Sequence, residues 1–284
     1  MLQIPHFDEI EYLIVGHLAL DITPQGKRLG GTAAYSSLTA RALGLKVGLV
    51  TSWGTDAEID ILLERGVQIA IIPAPQPTTF ENRITPEGRT QRIMGVAQPL
   101  RYNHIPVEWR NAPLVHLGPI AQEVDVKLSA EFSNSLVVAT AQGWLRRWDG
   151  SGNVFSSPWE AMLPVLRQNC ILILSEEDIH NDQAAILAIA AETRYLIVTR
   201  GALGVWFFVL GQRHAVHAPV VDEVDATGAG DIFATAFAIH YQRKQNLMEA
   251  VTFANTLAAA SVTRRWLESI PRPDEVETGK YLLS

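Results

Sequence analysis

Cysteine is almost missing from this chain: one residue, Cys170, in 284. A lone cysteine cannot close an intrachain disulfide, and its place before the apolar run ILIL suits a small packed hydrophobe. No run approaches the about 18 apolar residues that would cross a bilayer, and MLQIPHFDEIEYLIV has no basic segment leading a long apolar one. Membrane spanning and export are therefore not expected, and the cytoplasm is the expected location. Basic residues are the minority, 23 Lys and Arg against 30 Asp and Glu, for a net charge of -7 and a pI near 5.6. That balance lacks the cationic surplus a nucleic-acid binder uses against phosphate; RRW at 146–148 and TRRW at 263–266 read as local contacts. Of the eight histidines, the close pair His214 and His217 points to opposite faces of a strand, which gives no metal-hydrolase site. G-x-S-x-G is absent, and GHLALD stands where a dinucleotide enzyme would carry G-x-G-x-x-G after the first strand.

What the chain does have is apolar bulk, 48% of residues, and a strand–helix rhythm. YLIVGHLALDI (12–22) reads as one buried strand, TAAYSSLTARAL (32–43) as a helix stopped by Gly44, KVGLVTSW as a strand, DAEIDILLERG as a helix and VQIAIIP as a strand. TTFENRI and RTQRIMGV around TPEG then read as a polar-alternating hairpin at about 78–97. The rhythm resumes at PLVHLGP, with a helix near 126–134, strands SLVVAT, CILIL and YLIVT, and a hairpin around Gly211. Two long helices, 228–243 and 247–264, follow. The pattern predicts one large α/β domain over 1–284, a mostly parallel sheet with helices on both faces plus a small β appendage, and ligands at the carboxyl ends of the strands.

Four segments concentrate chemistry there. In DATGAGD, the N–H groups of Gly228, Ala229 and Gly230 at a helix start suit phosphoryl charge, and Asp231 suits proton acceptance; GAGD alone also fits a plain capped helix. In RLGGTAAYSS, Gly30 and Gly31 permit close approach of a polar ligand and Asp21 can hold hydroxyls, although a tight turn with a surface acid has the same pattern. VTRGALG ends a strand at Thr199 and turns through Gly201 and Gly204, either around a nucleotide or as a simple turn. SEEDI (175–179) clusters acids after a strand, for water-mediated magnesium or for a solvated cap.

These segments, in this order, resemble the ribokinase-like (PfkB) carbohydrate kinases: GGTAAYSSLTARALGLKVGLVTSWG the first signature, DATGAGDIFATAFA the second, and VTRGALG with ANTLAAASVTRRWLESIPRPDEVE the stretches around the nucleotide. The resemblance implies a ribokinase-like fold with a β lid at the 78–97 hairpin. It also implies an ATP- and Mg²⁺-dependent kinase for a hydroxyl of a small sugar or polyol. Asp231 would then be the base and Gly228, Ala229 and Gly230 the anion hole. Asp21, Gly30, Gly31 and Tyr35 would border the substrate, Thr199, Gly201, Gly204 and Asn255 the nucleotide, and Asp178 a water-bound magnesium. A nucleoside kinase, or a non-catalytic sugar- or nucleotide-binding regulator on the same fold, is the alternative.

Departures from the family pattern carry information too. Tyr35 stands where ribokinase-type members have a sugar-binding Asn, which argues against a ribose-like contact set. The usual N-x-x-E is Ser175 to Asp178 here. TRRWLES lacks the Gly that usually precedes Ser269, so a monovalent-cation site near Asp225 and Thr227 is not expected. About eight residues separate the first strand from Gly30, which predicts a small lid without strands from that stretch; the chain is expected as a monomer or homodimer. GGTAAYSS, the Glu of GPIAQEV and the Q-x-x-x-R of QGWLRRW are similar to myo-inositol kinases, which makes Glu123, Gln142 and Arg146 candidate substrate or transition-state contacts, Arg146 having a simple ion pair as its alternative, and favours a cyclitol such as myo-inositol.

Overall fold

The computed structural model describes residues 7–24, 26–54, 59–85 and 88–281; Pro86 and Glu87 of the expected lid turn, and residues 56–58 of the second expected helix, lie outside them. Elements are numbered in chain order. Strands β1 (Tyr12–Val15), β4 (Val47–Trp53), β5 (Gln68–Pro73), β8 (Leu114–Leu117), β9 (Leu136–Thr140), β12 (Cys170–Ser175), β13 (Tyr195–Thr199), β14 (Val205–Val209) and β15 (Gln212–Val216) form a nine-stranded sheet in the order β15-β14-β13-β12-β9-β8-β1-β4-β5. All pairs from β5 to β13 are parallel, and β14 and β15 close one edge as an antiparallel hairpin.

Both faces of this sheet are covered, which is why its strands are continuous apolar runs. Along β1 the side chains alternate: Tyr12 and Ile14 enter one core layer, Leu13 and Val15 the other. The first layer receives α1 (Thr32–Ala42), α2 (Asp60–Glu64), α5 (Ala229–Lys244), α6 (Leu247–Ser261) and α7 (Pro273–Tyr281); the second receives α3 (Leu163–Leu166) and α4 (Gln183–Glu192). Helix α5 is the central one, with eight consecutive residues from Ile232 to Ile239 buried. A helix apolar all round belongs inside.

The lid differs from expectation. Residues 12–22 are two strands, not one: the chain leaves the main sheet at Gly16 and continues as β2 (Ala19–Thr23), which turns back as β3 (Gly26–Gly30). With β6 (Thr78–Thr85) and β7 (Gly88–Gly95) they make a four-stranded sheet, β3-β2-β6-β7. The stretch judged too short for lid strands thus consists of them. The break is physical: a Cβ at Gly16 would strike the Gly118 carbonyl, while the buried His17 ring bonds Thr78 Oγ1 at 2.7 Å and the Gln98 carbonyl at 2.8 Å, fastening the lid's root to the core. Phe80 and Ile93 of the lid pack on Ile120, Ala121 and, partly buried, Trp148 and Val154 of a hairpin β10 (Arg146–Trp148) and β11 (Val154–Ser156). The helix expected near 126–134 is a single 3₁₀ turn, Leu128–Glu131, entered through the Lys127 N–H bonded to the Asp125 carboxylate.

Candidate active site

Helix α5 begins where its sequence forces a turn. Gly228 caps it at φ 80° and ψ -4°, a left-handed conformation that costs other residues strain, and the space a Cβ would need is filled by the Tyr35 ring. The Ala229 N–H closes a turn onto the Ala226 carbonyl and the Ile232 N–H bonds Gly228, so the Gly228, Gly230 and Asp231 N–H groups are left without a main-chain partner among the described residues. A Cβ at Gly230 would meet nothing within 4 Å. The glycine therefore faces open space at the positive end of the helix dipole.

Asp231 is half-buried in the first turn. Loss of solvent raises its carboxyl from 3.8 to about 6, with Asp178 adding to the rise, while a bond from the Thr32 hydroxyl and the Arg146 guanidinium oppose it. Arg146 donates to the Ile120 carbonyl at 3.1 Å and lies 5.2 Å from the Phe80 ring centroid, so this cation sits between the lid and the two aspartates. Asp178 is itself raised by burial; its Oδ2 accepts the Ser175 N–H at 2.9 Å and its Oδ1 lies 3.5 Å from Gln142 Nε2. Asp231, Arg146, Asp178 and Gln142 thus converge.

Asp21 lies at the lid root on β2, its Oδ1 3.4 Å from Asn82 Nδ2; its carboxylate occupies the place a Gly30 Cβ would take. Gly31 caps α1 at φ 83°. Two expected substrate contacts are placed differently. Tyr35 is 2% exposed, its ring beneath Gly228 and its phenol held high by burial and by Asp231, Asp21 and Asp225. Glu123 is 3% exposed, and its carboxylate accepts the N–H groups of His17 at 2.9 Å, Ile120 at 3.0 Å and Ala121 at 2.7 Å. It clamps the lid root to the loop after β8 through three main-chain donors.

The ends of β12 and β13 are in register, Ser175 beside Thr199. Thr199 Oγ1 donates to the Leu174 carbonyl at 3.4 Å. Gly201 and Gly204 have φ 53° and 91°, and a Cβ on Gly204 would strike the Val216 carbonyl. Asn255, 5% exposed, donates through Nδ2 to the His217 carbonyl at 2.8 Å and so holds the loop after β15. Asp225 accepts from Thr227 N–H at 2.9 Å and Trp266 N–H at 3.3 Å. Sequence reasoning passed over Thr32, Arg28, which lies against the Trp266 ring, and Arg200, paired with Glu176 at 2.8 Å. Only Thr32 had a local signal, as the first hydroxyl after the glycine pair at a helix start.

No described helix is long and apolar enough to cross a membrane. The family model for pfkB family carbohydrate kinases matches residues 170–273. The chain is 31% identical over 279 residues to a cytidine kinase of Thermococcus kodakarensis, covering 90% of this chain and 97% of that one. It is 23% identical to a ribokinase of Staphylococcus aureus, over 87% of this chain and 86% of the other. Among solved structures, a pyrophosphate-dependent myo-inositol-1 kinase converted into a myo-inositol-3 kinase superposes with a TM-score of 0.80 at 18% identity, over 95% and 98% of the two chains. A Thermotoga maritima ribokinase gives 0.74 at 21%, over 96% and 99%. With the near full-length likeness to a curated kinase and the ribokinase-like fold beneath it, the chain belongs to the PfkB family of carbohydrate kinases.

Proposed function

We propose that this protein transfers the γ-phosphoryl group of ATP to a hydroxyl of a small polyhydroxylated acceptor, a sugar or cyclitol, with Asp231 as general base. The observation that carries this reading is the position of Asp231: a half-buried carboxylate raised to about 6, beside a cation and at a helix start whose N–H groups lack main-chain partners among the described residues. Such a base is deprotonated at neutral pH yet basic enough to take a proton in the transition state. Asp231 accepts the proton of the attacking hydroxyl. The Gly230 and Asp231 N–H groups and the Arg146 guanidinium stabilise charge as it spreads over the phosphoryl oxygens. Asp21, at the lid root, orients the acceptor's other hydroxyls.

Among the described residues no cluster of three or more His, Cys, Asp or Glu could hold a metal. That fits magnesium, which takes most of its ligands from phosphates and water and one or two from carboxylates. Asp178, which acts electrostatically on Asp231, and Asp231 itself would supply that charge. The open space at Gly230 fits a phosphate tail.

A second reading, with a nucleoside as acceptor, is favoured by the near full-length likeness to a cytidine kinase. One assay separates the readings: phosphoryl transfer measured over a panel of sugars, cyclitols and nucleosides, with ATP and pyrophosphate as donors. Transfer to a sugar or cyclitol supports the first reading and transfer to nucleosides alone the second. Donor and acceptor binding without turnover would establish a non-catalytic protein instead.

A further inference from the structure

Beneath the α5 N-terminus lies a set of buried polar groups that the proposed chemistry does not use. Tyr12 on β1 and His116 on β8 are fully buried, as is Thr235 on α5, and Thr140 ends β9 at 7% exposure. Four contacts join them in a line. His116 Nε2 is 3.3 Å from Thr140 Oγ1, His116 Nδ1 is 2.6 Å from the Tyr12 phenol, that phenol is 3.3 Å from Thr235 Oγ1, and Thr235 Oγ1 is 2.9 Å from the Asp231 carbonyl.

Counting protons orders the line. A carbonyl only accepts, so the one Thr235 hydroxyl proton goes to Asp231. Thr235 must then accept from Tyr12, Tyr12 from His116 Nδ1–H, and His116 Nε2 from Thr140. Four donors carry one proton each to four contacts, and every other assignment leaves a buried pair facing each other without a proton. The Ser36 hydroxyl, also beside the phenol, brings its own proton and leaves the count unchanged. Burial supports the arithmetic: it pushes the His116 imidazole down to about 3 and the Tyr12 phenol well up, so both stay neutral.

We infer that Thr140, His116, Tyr12 and Thr235 form a one-way hydrogen-bond chain that fixes the first turn of α5, making Tyr12 and His116 positioning residues for Asp231. The line ends on a carbonyl and moves no proton. Its effect is geometric: it ties the helix carrying the base to three strands of the sheet, all of them distant from it in sequence. A base displaced by a fraction of an ångström loses rate while leaving binding intact. The inference rests on Asp231 being the base.

The first test uses the unmodified protein. The ¹⁵N shifts of His116, assigned through its own backbone, should show the neutral Nδ1–H tautomer between pH 6 and 8; the Nε2–H tautomer would overturn the chain's direction. The second is kinetic. Tyr12→Phe and Thr235→Val, measured per folded protein, should lower kcat roughly tenfold with both KM values little changed, and Thr235→Ser should restore it. Normal kcat in folded Tyr12→Phe or Thr235→Val overturns the positioning role. If Tyr12→Phe does not fold, Thr235→Val and the tautomer decide. Should Asp231→Asn keep full activity, the base assignment fails, and the tautomer still reports on the chain itself.

Discussion

Gly228 and Tyr35 compete for one volume: the aromatic ring lies where any side chain at position 228 would begin. The glycine is required twice over, by that ring and by its φ of 80°. Gly228→Ala should therefore lose roughly 1–3 kcal/mol of stability from backbone strain, with overpacking against Tyr35 in addition. Chemical denaturation gives the first quantity. Steady-state kinetics on the remaining folded protein should show a depressed kcat, because relieving the clash tilts the start of α5.

Gly230, two residues on, should respond in the opposite sense. It is helical, and nothing lies within 4 Å of where its Cβ would be. Gly230→Ala should raise stability by about 0.5–1 kcal/mol through helix propensity and still lower kcat, by crowding the space where the phosphoryl group would sit. A higher Tm with full activity would make this segment only a helix start.

Cys170 offers a check on the core. Its thiol is buried and pushed up to about 12 by desolvation. Since the thiolate is the reactive form, a disulfide reagent should label no thiol in the native protein at pH 8 and one per chain in denaturant, with a labelling midpoint matching the unfolding curve.

What was legible in the sequence was what is local. The sequence GAGD packs the turn, the helix start and the carboxylate into four residues, and β1 and β12 show both-face burial as unbroken apolar runs. Legibility ended where a residue's partner is far along the chain. Nothing in the sequence shows that the Glu123 carboxylate takes the His17 N–H, 106 residues away. Tyr12 and Thr235, 223 positions apart, share a bond that no spacing rule encodes. The split of residues 12–22 into β1 and β2 depends likewise on His17 meeting Thr78 and Gln98.

Burial sets the acid side of the pH profile. With Asp231 raised to about 6 in the free protein, and the deprotonated form required as base, kcat/KM should decline below about pH 6. The sign for stability is reversed: the folded state binds this proton more tightly than the unfolded state, so the Asp231 contribution becomes more favourable as pH falls from about 6 towards 4. Asp231→Asn removes a buried charge and should be more stable than the parent at pH 7 by about 1–3 kcal/mol, while turnover falls by about 10² or more. Denaturation at pH 7 and pH 5 tests this, since the gain should shrink at the lower pH.

Arg146 is the cation that opposes this rise. Its guanidinium lowers both Asp231 and Asp178, and its other contacts, the Ile120 carbonyl and the Phe80 ring, hold it under the lid. Arg146→Met keeps much of the side chain's length and apolar stem but deletes the charge. The Asp231 carboxyl should then titrate at a higher pH, and the acid limb of the kcat/KM profile should move upward with it. If Arg146 also meets the transferring phosphoryl group, kcat at the plateau should fall as well, by more than any change in acceptor KM, because the interaction strengthens as charge develops. An unmoved limb with a lowered plateau would place Arg146 on the phosphoryl group and away from the base. A moved limb with an intact plateau would make it purely an electrostatic partner of the two aspartates.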